Sequence, residues 1–156
     1  MRNNVSTLNR SIHLIDLENL CGEPRPSAAV AELAHRAYLA ATRPDAGDHF
    51  VVAVNHGAAL NAGLSWKGAR LLLRSGPNGA DEALLDVLRY EQVDERFTSI
   101  KIASGDGIFA PAAGSLAASG LVVTVVARPG SCSAALKLAS HHLVTLDIYA
   151  QEAEAA

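Results

Sequence analysis

Two stretches of this 156-residue chain, HFVVAVN (49–55) and LVVTVVA (121–127), are apolar without alternation. A strand wetted on one side alternates apolar and polar residues, whereas a strand covered on both faces reads as a continuous apolar run. Shorter runs predict four more strands: SIHLID (11–16), ARLLLRS (69–75), TSIKIAS (98–104) and LVTLDIY (143–149). The segments between them carry helical spacing. PSAAVAELAHRAYLAAT (26–42) sets Val30, Leu33, Ala34, Ala37 and Tyr38 on one face. GPNGADEALLDVLRYEQV (76–93) opens with turn chemistry and continues with Leu84, Val87 and Leu88 on one face. GIFAPAAGSLAASG (107–120) predicts a helix ending at Gly120, and SCSAALKLASHH (131–142) predicts another; 57–66 reads as a short helix or a loop. Strands and helices in alternation, with strands buried on both faces, predict an α/β fold. Its form is a three-layer sandwich around a central, mostly parallel sheet with right-handed crossovers.

A chain of this length is expected to form one domain that buries about 70% of its unfolded surface. The domain is placed at 11–148, with flexible termini at 1–10 and 149–156. A net charge of −3 and 4% aromatic residues argue against a broad basic track or a stacking platform for single strands. MRNNVSTLNRS lacks the apolar core of a signal peptide, and no stretch approaches the ~18 apolar residues of a membrane span. Cys21 and Cys132 match no metal or redox spacing and read as two reduced thiols. The expected compartment is therefore the cytoplasm.

In a parallel α/β sheet, ligands bind beyond the carboxyl ends of the strands. The residues that follow the predicted strands are therefore the informative ones. Asp16, Glu18 and Asn19 follow the first. Asp81 follows the third, in the first turn of a helix. Asp106 follows the fourth, in the Gly-flanked loop SGDG with Ser104. Arg128, Ser131 and Ser133 follow the fifth, before another helix. Asp81 on its own also reads as a cap that complements the helix dipole, and Asp106 as a turn residue. Asp16 is harder to explain in that way, because a carboxylate at the end of a central strand is costly to desolvate without a partner. Together the three acids suit a hard divalent cation, Mg²⁺ or Mn²⁺, and phosphodiester hydrolysis. In that reading Asn19 holds a carboxylate or a water, Ser104 orients Asp106, and the loop before 131–133 holds a phosphate.

Three blocks, IDLENL (15–20), GADEALLDVL (79–88) and IASGDGIFAPAAGSLAASGLVVTVVA (102–127), resemble the NYN family of PIN-like ribonucleases in order and spacing. The resemblance runs across about residues 11–148. It implies a Rossmann-like PIN fold with sheet order 3-2-1-4-5, here with room for an extra edge strand. It also implies metal-dependent RNase activity, with Asp16, Asn19, Asp81 and Asp106 in an acidic pocket. The chain departs from the pattern at SGDGIF (104–109), where Ile108 stands in place of a second acid. Glu18, Glu82 and Asp147 are the acids that could stand in for it. Asp86 falls where the family often carries an acid, although a pair with Arg89 explains it equally well.

Around this pocket, Arg74 and Arg128 are the cations expected to meet substrate phosphate, while Lys67 and Arg70 read as solvated charges. Asn78 is either a substrate contact or a turn residue. His56 reads as a loop histidine unless it serves proton transfer. Trp66 reads as core or as a contact in a homodimer, the assembly expected of a monomer with no RNA track of its own. The leading expectation is a metal-dependent ribonuclease with RNA as partner and no membrane. The alternative is a catalytically weak or inactive PIN-like module that binds RNA, nucleotide or a protein partner. An aspartate-nucleophile phosphatase fits Asp16-Leu17-Glu18 only loosely, and no G-x-G-x-x-G follows the first strand to suggest a dinucleotide.

Overall fold

The computed structural model describes residues 9–150. Six strands form one sheet: β1 (Ser11–Asp16), β2 (His49–Val54), β3 (Arg70–Leu73), β4 (Ser99–Ala103), β5 (Val122–Ala127) and β6 (His142–Thr145). Their order is β3-β2-β1-β4-β5-β6, and every neighbouring pair is parallel. The expected 3-2-1-4-5 order is present, and β6 is the additional edge strand. The seven helices among the described residues are α1 (Leu17–Cys21), α2 (Ala28–Thr42), α3 (Ala59–Ser65), α4 (Gly79–Tyr90), α5 (Val93–Arg96), α6 (Ala110–Ala118) and α7 (Ala134–Ala139).

The continuous apolar runs serve two cores at once. Ile12, Leu14, Val51, Ala53, Ile100, Ile102, Val123 and Val125 pack on one side, with Leu84 of α4, Ala113 and Leu116 of α6, and Leu136 of α7. Their neighbours Ile15, Val52, Val54, Ala103 and Val126 pack on the other side, with α1, α2 and α3. Successive side chains on a strand point to opposite faces, so both sets must be apolar. Trp66 belongs to the second core: it is buried, and its ring lies against His35 and Tyr38, so it is no dimer contact.

Some elements differ from the sequence expectation. The run after β1 turns at once into α1, because the Asp16 carboxylate caps that helix by accepting the Asn19 N–H (3.2 Å) and Gly22 ends it in the left-handed region at φ 74°. The 57–66 segment is a 3₁₀ turn followed by α3. The helix expected over 131–142 stops at Ala139. His141 instead docks on the end of β5, its Nδ1 accepting the Val123 N–H (3.0 Å), and thereby launches β6. The expectation of flexible termini falls mainly on residues 1–8 and 151–156, which lie outside the described residues.

One polar group sits inside the second core. His13 is fully buried in β1; its Nε2 meets Asp48 Oδ2 and its Nδ1 meets the Tyr38 hydroxyl, both at 2.8 Å. Burial pushes the imidazole below its usual value and the Tyr38 phenol above its own. Burial also opposes ionisation of Asp48. The hydrogen bond from His13 and the Ser11 and Asp45 N–H groups outweigh it and hold that carboxyl below its ordinary value. The consistent assignment is a neutral imidazole that donates from Nε2 to a charged Asp48 and accepts the tyrosine proton at Nδ1. His13 also stacks on Phe50 at 4.3 Å, so the network is packed as well as satisfied. Asp48→Ala strands the imidazole N–H in the core. It is expected to cost about 2–4 kcal/mol by urea unfolding at pH 7, and a loss below 1 kcal/mol would contradict this account.

Candidate functional site

Because all six strands run the same way, the residues that follow them gather at one edge. The main cleft there, about 490 Å³, is lined by Asp16, Glu18 and Asn19 after β1, by Pro24 and Arg25, by Asn55 and Gly57 after β2, and by residues 74–76 and 78–81 after β3. Its floor is acidic and buried: Asp16 is 5% exposed and Asp81 6%.

Each floor residue is held by local structure. Asp16 ends β1 and caps α1. Asn19 binds back across the sheet, its Oδ1 accepting the Gly105 N–H (3.1 Å) and its carbonyl accepting Arg128 Nε (2.7 Å). Glu18 Oε1 accepts the Asn55 N–H (2.9 Å), tying α1 to the end of β2. Asp81 enters from the first turn of α4, after a turn in which Asn78 takes φ 57°. That turn packs so closely that a Cβ on Gly79 would lie 2.6 Å from the Arg74 carbonyl oxygen.

Two carboxylates placed together in a dry site resist ionisation. Burial, then the neighbouring Asp81, pushes the Asp16 carboxyl up to about 8. Burial raises Asp81 as well; its hydrogen bond with Asp16 works the other way, and the charge of Asp106 adds to the rise. The physical picture is one proton shared by the pair, carried on Asp16 and donated to Asp81. Asp81 Oδ1 is buried with no hydrogen-bond donor in reach. An orphaned anionic oxygen beside a second carboxylate is what a proton or a hard cation satisfies. Among the described residues, however, no group of three or more His, Cys, Asp or Glu side chains is arranged to hold a metal ion.

The Asp106 loop is built for closeness. Asp106 Oδ1 accepts the Ile108 N–H (3.0 Å), and the buried Ser104 Oγ accepts the Asp106 N–H (3.2 Å), which ties Ser104 to the backbone of this loop. A Cβ on Gly105 would fall 2.3 Å from the Ser131 carbonyl oxygen. The loop after β5 is its partner: the Ser133 N–H reaches the Gly105 carbonyl (2.9 Å), while Ser133 Oγ caps α7 and Ser131 Oγ bonds the Arg128 carbonyl. Asp106, Ser104, Arg128, Ser131 and Ser133 thus stand beside the main cleft and not in its lining. Arg128 borders a neighbouring hollow with Cys21, Glu23 and Asp147. Arg74 lines the cleft but is paired with Asp86 at 3.0 Å. That partner differs from the Arg89 expected for Asp86, which lies 3.9 Å from Glu82 instead. His56 Nδ1 meets Ser75 Oγ at 2.7 Å on the cleft wall. Arg25, Asn55 and Ser75 join the lining without having been expected there; Asn55 and Ser75 follow strands, which is the sequence signal they carry.

Two outcomes follow from this geometry. An Asp16 value near 8 in the folded chain, against 3.8 when unfolded, means that the native state holds the extra proton between those limits. Stability is therefore lost as pH rises through that window. Asp16→Asn removes this penalty. In EDTA it is expected to raise stability by at least about 1 kcal/mol at pH 8 and by much less at pH 5, read from urea unfolding at both pH values. An equal gain at the two pH values would contradict the shared-proton account. Gly105→Ala is expected to destabilise by more than about 2 kcal/mol, because its methyl group meets backbone oxygen that cannot move aside. Thermal unfolding measures it.

No described helix is long and apolar enough to cross a membrane. No protein-family model matches the sequence, and no curated protein matches it either. In overall structure the chain is similar to a crystal structure of a protein of unknown function from Vibrio parahaemolyticus. The TM-score is 0.64 at 16% identity, covering 89% of this chain and 93% of that one, a likeness that establishes the shared α/β fold.

Proposed function

We propose that the chain is a metal-dependent ribonuclease of the NYN, PIN-like kind, acting on RNA at the cleft beyond β1, β2 and β3. One observation carries the reading: two buried carboxylates stand together at the strand ends, and one of their oxygens, Asp81 Oδ1, has no donor. Asp16 and Asp81 are the residues that would hold Mg²⁺ or Mn²⁺, with the charge of Asp106 beside them. When bound, such a cation supplies neutralisation of the charge that develops on a phosphodiester in hydrolysis.

The chain's own residues do the rest. Asn19 ties the β1 end to two others, because its amide oxygen accepts the Gly105 N–H after β4 and its carbonyl accepts Arg128 Nε after β5. Glu18 anchors α1 to β2 and, with that carboxylate occupied, serves the wall of the cleft more than its floor. Arg74, Ser75 and Asn78 form the opposite wall, where the RNA backbone would lie. A second reading, a weakly catalytic or inactive module that binds RNA, draws on the missing three-membered ligand group and on Ile108.

Incubation of the purified chain with single-stranded and structured RNA, in Mn²⁺ or in EDTA, tests the proposal. Cleavage is expected only with the metal, and Asp16→Asn and Asp81→Asn are expected to reduce it roughly 100-fold or more. Activity that persists in both variants, with their fold intact by circular dichroism, would overturn it. RNA binding without cleavage, together with no heat of Mn²⁺ binding at millimolar levels, would favour the module.

A further inference from the structure

The cleft brings anionic floor and anionic substrate together, so a cation must offset the repulsion. The residues expected for this task are committed elsewhere: Arg74 is paired with Asp86, and Arg128 Nε is bonded to the Asn19 carbonyl. Arg25 is not. It lines the same cleft, its side chain is exposed, and among the described residues it has no ion-pair or hydrogen-bond partner.

The chain around Arg25 is built to hold it in place. It lies between Pro24 and Pro26, which fix φ on either side and cut the freedom of the segment. Asn55 Nδ2 donates to the Pro24 carbonyl at 2.8 Å, and Asn61 Nδ2 donates to the Pro26 carbonyl at 3.2 Å. The backbone on each side of Arg25 is thus fastened to the β2 end and to α3. The side chain then crosses over Gly57, where a Cβ would lie 3.3 Å from Arg25 Nε. With its backbone fastened on both sides, an unpaired guanidinium has less freedom to lose when it forms a fork of hydrogen bonds to phosphate.

We propose that Arg25 is the phosphate-binding arm of the cleft, gripping a backbone phosphate of the RNA next to the one over Asp16 and Asp81. The proposal rests on reading this cleft as an RNA site. It predicts which residue governs substrate affinity independently of the metal, and it gives the Pro24–Pro26 segment a purpose beyond connection.

The test is binding of a fluorescein-labelled 12-nucleotide single-stranded RNA, followed by anisotropy in EDTA across a salt series, with cleavage in Mn²⁺ measured in parallel. Arg25→Gln is expected to weaken binding about tenfold or more and to lower the log–log salt slope by about one. Arg25→Lys is expected to restore the slope but only part of the affinity, since it keeps the charge and loses the fork. Gly57→Ala, which keeps the charge but crowds the arm, is expected to fall between wild type and Arg25→Gln. Arg36→Gln, on the exposed side of α2, is expected to change nothing. In Mn²⁺, Arg25→Gln should raise KM with kcat nearly unchanged. Binding and slope unaffected by Arg25→Gln would overturn the proposal while leaving the nuclease reading intact. Arg25-dependent binding by a chain that cleaves nothing would uphold it while removing that reading. No RNA binding by the wild type would overturn both.

Discussion

A parallel sheet sends the carboxyl end of every strand to the same edge, and this one constraint organises the molecule. Each strand must be re-entered through a helix on one face or the other, so both faces are covered and both sets of strand side chains are apolar. Polar residues are then excluded from most of the sheet and collect where the strands end. Asp16, Asn55, Ser75 and Asp106 are each within three residues of a strand terminus, and connectivity places them on one rim. His13, the most deeply buried polar side chain of the sheet, is admitted because Asp48 and Tyr38 satisfy both of its ring nitrogens.

The rim itself is held by hydrogen bonds that cross between strand ends. Asn19 touches the β4 loop with its side chain and Arg128 with its carbonyl, while Glu18 reaches the first N–H after β2. The five-residue α1 is too short to persist as an isolated helix, so these contacts and its two caps are what stabilise it. Gly105 and Arg128, both outside the cleft lining, hold Asn19, and the Asp16 carboxylate accepts the Asn19 N–H, so these two residues support Asp16 indirectly.

The strands were legible in the sequence because burial on both faces leaves a local mark, as in LVVTVVA, and the catalytic candidates were legible because they follow such runs. The α1 helix was not, since five residues cannot show a 3.6-residue period, and its cap Asp16 serves equally as a strand end. Asp86 illustrates a different limit. Helical spacing favours Arg89, three residues away, but Arg74 reaches it from β3 across the groove, a contact set by how α4 lies on the sheet. Arg25 was hidden for the same reason: its position depends on Asn55 and Asn61, which meet the Pro24–Pro26 segment only after folding. Arg128, expected to meet substrate, instead donates to the Asn19 carbonyl, beside a β5 loop that packs closely against Gly105.

The electrostatics of the floor explain why such a site is costly to keep. Asp16 and Asp81 are buried where the charged form of either is disfavoured, and a metal-free chain compensates by holding a proton that free carboxylic acids would have lost. Asparagine at either position would relieve that cost without loss of shape, so packing alone gives no reason for two acids here. Hydrogen bonding does not single out two acids either, because asparagine at position 16 could also cap α1 and Asp81 Oδ1 accepts nothing within the chain. On the proposed reading, the pair is kept for a group it receives from outside. On that same reading, a divalent cation displaces the shared proton and fills the open oxygen, and Arg25, on the lining of the same cleft, meets the anion that follows.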